Sequence, residues 1–149
     1  MATLRSEKEN NTARNEAELP VYLFHQGTNF RAYEYLGAHP IDGGFVFRVW
    51  APDAAAVAVT GDFDGWQGTL AMTRISEGGV WEAEGKGEGF HRGARYKYLI
   101  TAADGRRLYK ADPYAFAAEC PPDTASLMYG IPKHEWHDGG WMAARPDAR

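Results

Sequence analysis

The acidic side chains of this sequence come in pairs that invite a chemical reading. Asp62 and Asp64 flank Phe63, and Glu82 and Glu84 alternate along one short stretch. Glycoside hydrolysis needs such a pair, one carboxyl as acid and the other as base or nucleophile. It also needs a cleft around a sugar ring, with one carboxyl desolvated so that its pKa rises. The flanking residues read as turns and half-buried strands, which offer an open face and not a cleft. No catalytic role is assigned to either pair. His134 and His137 stand three apart, a spacing a metal accepts, but no third ligand accompanies them. Gly85-Lys86 is followed by Gly87 with Val80 at the expected first-glycine position, so no phosphate-cradling loop forms. The serines, Ser6, Ser76 and Ser126, lie in no G-x-S-x-G turn and have no His–Asp context. The residues predict no catalytic group, no metal and no cofactor.

Aromatic surface is what remains. In the GDFDGW run of residues 61–66, two glycines and two aspartates bend the chain, and Trp66 falls in a loop. Leaving an indole exposed forgoes roughly 1.5 to 3 kcal/mol of burial, the figure for a large apolar side chain. An indole so placed suits the flat C–H face of a pyranose, with hydroxyls left over for neighbouring donors. Lys97, between Tyr96 and Tyr98, is such a donor, and Asp64 a candidate acceptor. The alternative is that Trp66 folds back as a lid on the core. Trp50 and Trp81 lie inside strand patterns and read as core or interface.

The elements that must position these residues are mostly short strands. In FVFRVW, residues 45–50, Phe45, Phe47 and Val49 share one face while Val46, Arg48 and Trp50 share the other. AAAVAVTG, residues 54–61, is ambiguous between helix and strand, and its shortness between Pro52 and Gly61 favours strand. VWEAE (80–84), RYKYLIT (95–101), RRLYK (106–110) and SLMY (126–129) follow, with Asp104-Gly105 as a hairpin turn. A short helix is expected within Asn29–Leu36, stopped by Gly37 with Pro40 beyond. The spacing predicts an all-β antiparallel sandwich with a short helical lead-in. The domain reading is a polar tail over 1–18, a lead-in over 19–40, a sandwich over 41–130 and a linker over 131–149.

Composition agrees with this. The 149 residues suffice for about one domain, and 44% hydrophobic with 24% charged residues describes a globular chain. Aromatics make up 13%, with 17 glycines and 8 prolines, a strand-and-turn composition. A net charge of −4 and a pI near 5.7 argue against a nucleic-acid partner. No apolar run approaches the ~20 residues that span a bilayer, and no signal-peptide core precedes residue 20. Cys120 is the sole cysteine and reads as an inert thiol. A cytoplasmic location is the expectation.

Beside these readings stands a resemblance. FHQGTNFRAYEYLGAHP, FRVWAP, GDFDGW, GVWE, YKYLI, KADPYAFAAE and TASL occur here in an order similar to that of bacterial 1,4-α-glucan (glycogen) branching enzymes. The match runs from residue 22 to about 142. Some pieces recur across amylolytic enzymes, whereas RAYEYLGAHP with KADPYAF is specific to branching enzymes. The resemblance implies an immunoglobulin-like β-sandwich, a carbohydrate-binding module of family 48, that precedes a catalytic (β/α)₈ barrel. A barrel needs ~200 residues or more, so the chain reads as truncated before the family's catalytic residues. The implied function is non-catalytic binding of α-1,4-glucan chains such as glycogen and maltooligosaccharides, in glycogen biosynthesis. The alternative is a structural module that docks on the barrel with little glucan binding of its own.

The related module of the AMP-activated protein kinase β subunit binds sugar through a loop Trp and a strand Lys, which fall on Trp66 and Lys97. Its second stacking Trp falls near Arg107 or Leu108, its binding Asn near Leu127 or Met128, and its loop Asn on Asp64. The resemblance thus carries over half of that site.

Overall fold

Alternating apolar residues with period two bury one face of each strand, and two such faces closed on each other bury both. The computed structural model, which describes residues 18–131 and 136–145, has this arrangement. Sheet A runs in the order β1 (Gly37–Ile41), β2 (Gly44–Trp50), β6 (Val80–Lys86), β5 (Thr73–Arg74). Sheet B runs β4 (Leu70–Ala71), β3 (Ala54–Gly61), β7 (Arg95–Ala102), β8 (Arg107–Lys110), with β9 (Ser126–Leu127) also on β7. All pairings are antiparallel. This is the all-β sandwich that the sequence predicts.

The core lies between the sheets. Phe45, Phe47, Val49, Trp81 and Ala83 of sheet A meet Val57, Val59, Tyr96 and Tyr98 of sheet B. Phe47 touches Tyr96 edge-on with ring centres 5.2 Å apart. The alanine-rich β3 is a strand because Val57 and Val59 alternate into this core and pair with Ile100 and Tyr98. Trp81 is buried and its indole N–H donates to the Ala51 carbonyl at 3.0 Å. Trp50, on the other face, stays half-exposed and donates to the Gly78 carbonyl at 2.8 Å. Gly44 is required at the β2–β6 pair, where an added Cβ would sit 1.9 Å from the Gly85 carbonyl oxygen.

The lead-in departs from expectation in detail. The helix occupies residues 18–25, and Asn29–Leu36 holds only the 3-10 turn Ala32–Glu34. Gly27, at φ +71, ends the helix, and the Asn29 amide ties the following turn back to the Pro20 carbonyl. Ala32 and Leu36 then bury against Val80, with Val21, Phe24, Tyr35 and Tyr114 around them. The segment closes with β1, an edge strand, where Pro40 is tolerated because its missing N–H costs no ladder bond on the open side. Residues 1–17, most of the expected tail, lie outside the described residues.

One polar cluster is sealed in the sandwich. Tyr96 and Tyr98 both donate their hydroxyls to Asp112 Oδ2, at 2.6 and 3.1 Å. The Tyr114 N–H donates to Oδ1 at 2.8 Å, and the Asp112 N–H donates to Ser126 Oγ at 2.9 Å. Burial raises the Asp112 pKa against the pull of Tyr96, Tyr114 and Tyr98, and burial likewise lifts both tyrosines. Because the folded carboxyl holds its proton more tightly than the unfolded one, its contribution to stability is full below the ordinary carboxylate value. It is lost as pH rises through the raised folded value. Asp112→Ala, which orphans two buried hydroxyls and an N–H, is expected to lower the unfolding free energy by about 3 kcal/mol in urea titrations. Asp112→Asn is expected to lack the wild-type gain on acidifying from pH 7 toward 4. Unchanged urea midpoints for the alanine variant would refute this role.

Candidate functional site

The loop that follows β3 is fastened at three points. Phe63 stacks on Phe90 with ring centres 4.4 Å apart and closes one end of the core. Asp62 takes Arg95 in a forked pair at 2.8 and 3.0 Å and also accepts the Arg95 backbone N–H at 3.0 Å. Asp64 gathers the rest. Its Oδ1 accepts from the N–H groups of Gly61 and Trp66, both at 3.0 Å, and from the Thr60 hydroxyl at 3.2 Å. Its Oδ2 accepts from Thr69, through N–H at 2.7 Å and hydroxyl at 3.1 Å. Five donors on one carboxylate leave it no capacity for a ligand hydroxyl.

The electrostatics follow from these bonds. Hydrogen bonding to the Arg95 guanidinium chiefly draws the Asp62 carboxyl below its ordinary range, and the Trp66 side chain assists. Burial alone would raise Asp64, but the Gly61 and Thr69 N–H groups and the Thr69 and Thr60 hydroxyls outweigh it and its pKa falls. For both, the stabilising contribution is present above the ordinary carboxylate value and is lost as pH falls through the lowered one.

This loop delivers Trp66. Gly65, at φ +61, and Trp66 itself, at φ +65, are both left-handed, a conformation bulky side chains rarely adopt. The bonds from its N–H to Asp64 and to the Gly61 carbonyl at 3.1 Å hold it there. The indole is half-buried outside the core cluster, with the Arg95 guanidinium carbon 6.0 Å from its ring centre. It is not a core lid.

Cross-strand register defines the surface around it. Lys97 pairs with Thr60 and so shares the outer face of sheet B with the residue that anchors Asp64. Its Nζ donates to Thr124 Oγ1 at 2.7 Å. Of the two positions for a second aromatic, Arg107 pairs with Thr101 on the outer face and Leu108 with Ile100 on the inner. Leu127 pairs with Arg95 on the outer face, while Met128 is fully buried. Trp66, Asp64 and Lys97 therefore lie on one side of one sheet. Tyr109, absent from the sequence reading, joins them: it pairs with Leu99 on the outer face and is 52% exposed. Its position on the return strand of the Asp104-Gly105 hairpin was the available signal.

The other candidates disperse. Glu82 pairs with Arg48, whose guanidinium lies 4.3 Å over the Tyr35 ring centre, and Glu84 pairs with Lys86. Neither is the desolvated acid a hydrolase needs. His25 Nε2 lies 2.9 Å from Ser76 Oγ, a partner that sequence reasoning missed because the 18–25 helix folds over the 76–79 turn. That hydroxyl also accepts the Val80 N–H at 3.0 Å, so the pair staples the helix beside a pocket of about 680 Å³. His134 lies outside the described residues, among which no metal-ligating cluster of three occurs. Nor is any described helix long and apolar enough to cross a membrane.

Known proteins match this chain closely. The profile of carbohydrate-binding module 48 (isoamylase N-terminal domain) matches residues 35–115. A 1,4-alpha-glucan branching enzyme of Jannaschia sp. is 47% identical over 127 residues, which is 85% of this chain and 18% of that protein. One from Fusobacterium nucleatum is 42% identical, over 86% of this chain and 21% of its own length. The chain thus spans about a fifth of these relatives. Among solved structures, type I pullulanase of Bacillus subtilis complexed with maltose superposes with a TM-score of 0.54 at 26% identity, over 68% of this chain and 14% of that one. PulA of Klebsiella oxytoca gives 0.52 at 30% identity, over 66% of this chain and 10% of that one.

Because Asp64 organises the loop, its removal should act through Trp66. Asp64→Ala is expected to cost about 1 to 3 kcal/mol of stability and to speed amide hydrogen exchange at Gly61, Trp66 and Thr69. Unaltered exchange at those three amides would contradict the anchoring role.

Proposed function

Since the chain belongs to the carbohydrate-binding module 48 family, we propose that it is a non-catalytic α-glucan-binding module that takes its ligand along the outer face of sheet B. The observation that carries the reading is Trp66, an indole kept out of the core by a loop whose own acids are fully engaged. A pyranose stacks its C–H face on that ring, Lys97 donates to the ring hydroxyls, and Tyr109 offers a second platform further along the face. Asp64 acts indirectly, by fixing the loop. The branching-enzyme relatives and the pullulanase complexed with maltose support a glucan as the ligand class. In this reading the module serves glycogen biosynthesis in the cytoplasm, attached to a (β/α)₈ barrel that carries out the transfer. The chain itself contributes binding and no catalysis.

A second reading has an observation of its own. Phe30, Tyr33 and Trp50, of the lead-in and the outer face of sheet A, are 89%, 42% and 51% exposed. An apolar set of this kind suits docking on the catalytic barrel, and it leaves the outer face of sheet B available to glucan.

Co-sedimentation with glycogen tests the binding. Wild-type protein is expected in the pellet, with Trp66→Ala weakened about 10-fold, the equivalent of 1.4 kcal/mol. Lys97→Ala is expected to be weakened less, by one hydrogen bond. A Trp66→Ala variant that pellets like wild type would remove the indole from the site.

A further inference from the structure

We propose that this face prefers α-glucan carrying a phosphomonoester over the neutral polymer, an inference that rests on the glucan-binding reading above. The observation is a charge imbalance that runs against the chain as a whole, which carries −4. The acids near Trp66 are already engaged. Asp62 and Glu119 both take Arg95, Glu119 also accepts the Ala125 N–H, and Asp64 is filled by five donors. The cations are not matched in the same way. Among the described residues, Lys97 and Arg107 form no ion pair, and the partner of Lys97 is the neutral hydroxyl of Thr124.

Their placement gives the imbalance a direction. Arg107 projects from the outer face opposite Thr101, and its Nη2 lies 3.7 Å from where a Cβ on Gly68 would be, against the Trp66 loop. Tyr109, opposite Leu99, falls between the register positions of Lys97 and Arg107. A glucan lying on Trp66 and Tyr109 meets an ammonium on one side and a guanidinium fork on the other. Neutral hydroxyls use both as ordinary donors. A phosphate ester, with about −1.5 to −2 charges, turns them into charge-assisted donors roughly twice as strong, and the fork matches two phosphate oxygens at once.

The test is calorimetric titration of the full chain with a maltooligosaccharide bearing a 6-phosphomonoester, with its dephosphorylated twin, and with inorganic phosphate. The phosphorylated sugar is expected to bind about 5-fold tighter at low salt, with the ratio falling toward one in ~0.5 M salt as the charges are screened. In Arg107→Gln the ratio is expected to fall toward one at low salt. Equal affinity of the wild type for the two sugars overturns the inference while leaving neutral glucan binding standing. Inorganic phosphate that binds as tightly as the phosphorylated sugar also overturns it, since the anion alone is then the ligand. Failure of both sugars to bind overturns the glucan-binding reading itself.

Discussion

Two phenols sharing one buried carboxylate set the geometry of the outer face of sheet B from the inside. Tyr96 and Tyr98 stand two apart on β7, so both point into the core, and Asp112 receives both hydroxyls. Each of these polar groups would be costly to bury alone, and together they are satisfied. No buried side-chain polar atom among the described residues lacks a partner. Locking the even-numbered residues of β7 inward forces Arg95, Lys97 and Leu99 outward, since side chains alternate along a strand. The orientation of Lys97 is thus decided by chemistry on the opposite side of its own strand.

The acids of the GDFDGW run hold the loop together. Asp62 clamps the loop to β7 through Arg95, and Asp64 stands in for the backbone acceptors that a tight turn with two left-handed residues lacks. Strain at Trp66 is thereby compensated within a few residues of where it arises. A pair of neighbouring carboxylates, the arrangement that first suggests hydrolysis, here ends with both groups ionised more readily than usual, the opposite of what a general acid requires.

Much of this was legible in the sequence, for reasons that can be named. Strands β6 and β7 largely alternate apolar with polar residues, and β2 lines up Phe45, Phe47 and Val49 on one face. The shortness of β3 between Pro52 and Gly61 favours strand, and Asp104-Gly105 marks the turn into β8. Strand β1 was missed because Gly37 and Pro40 read as helix stops, and only its edge position makes that proline compatible with pairing. Two-residue strands such as β4 and β5 are too short to show a period. Trp66 and Lys97 could be singled out by residue type and by the family resemblance, but the work done by Asp64 depends on five donors arriving from residues 60 to 69. Tyr109 escaped notice because every residue of β8 is exposed, which erases the burial pattern that marks a face. Only its pairing with Leu99 reveals the side it occupies.

The two aromatics differ in how firmly they are mounted. Trp66 rides a loop bolted to the core, to β7 and to β3. Tyr109 rides a border strand laddered on one side only, with β7 as its single neighbour. Border strands open at lower free energy than central ones. On the binding reading, the face resembles a calliper with one fixed jaw and one sprung jaw. Such an instrument keeps its place on one side and adjusts its span on the other.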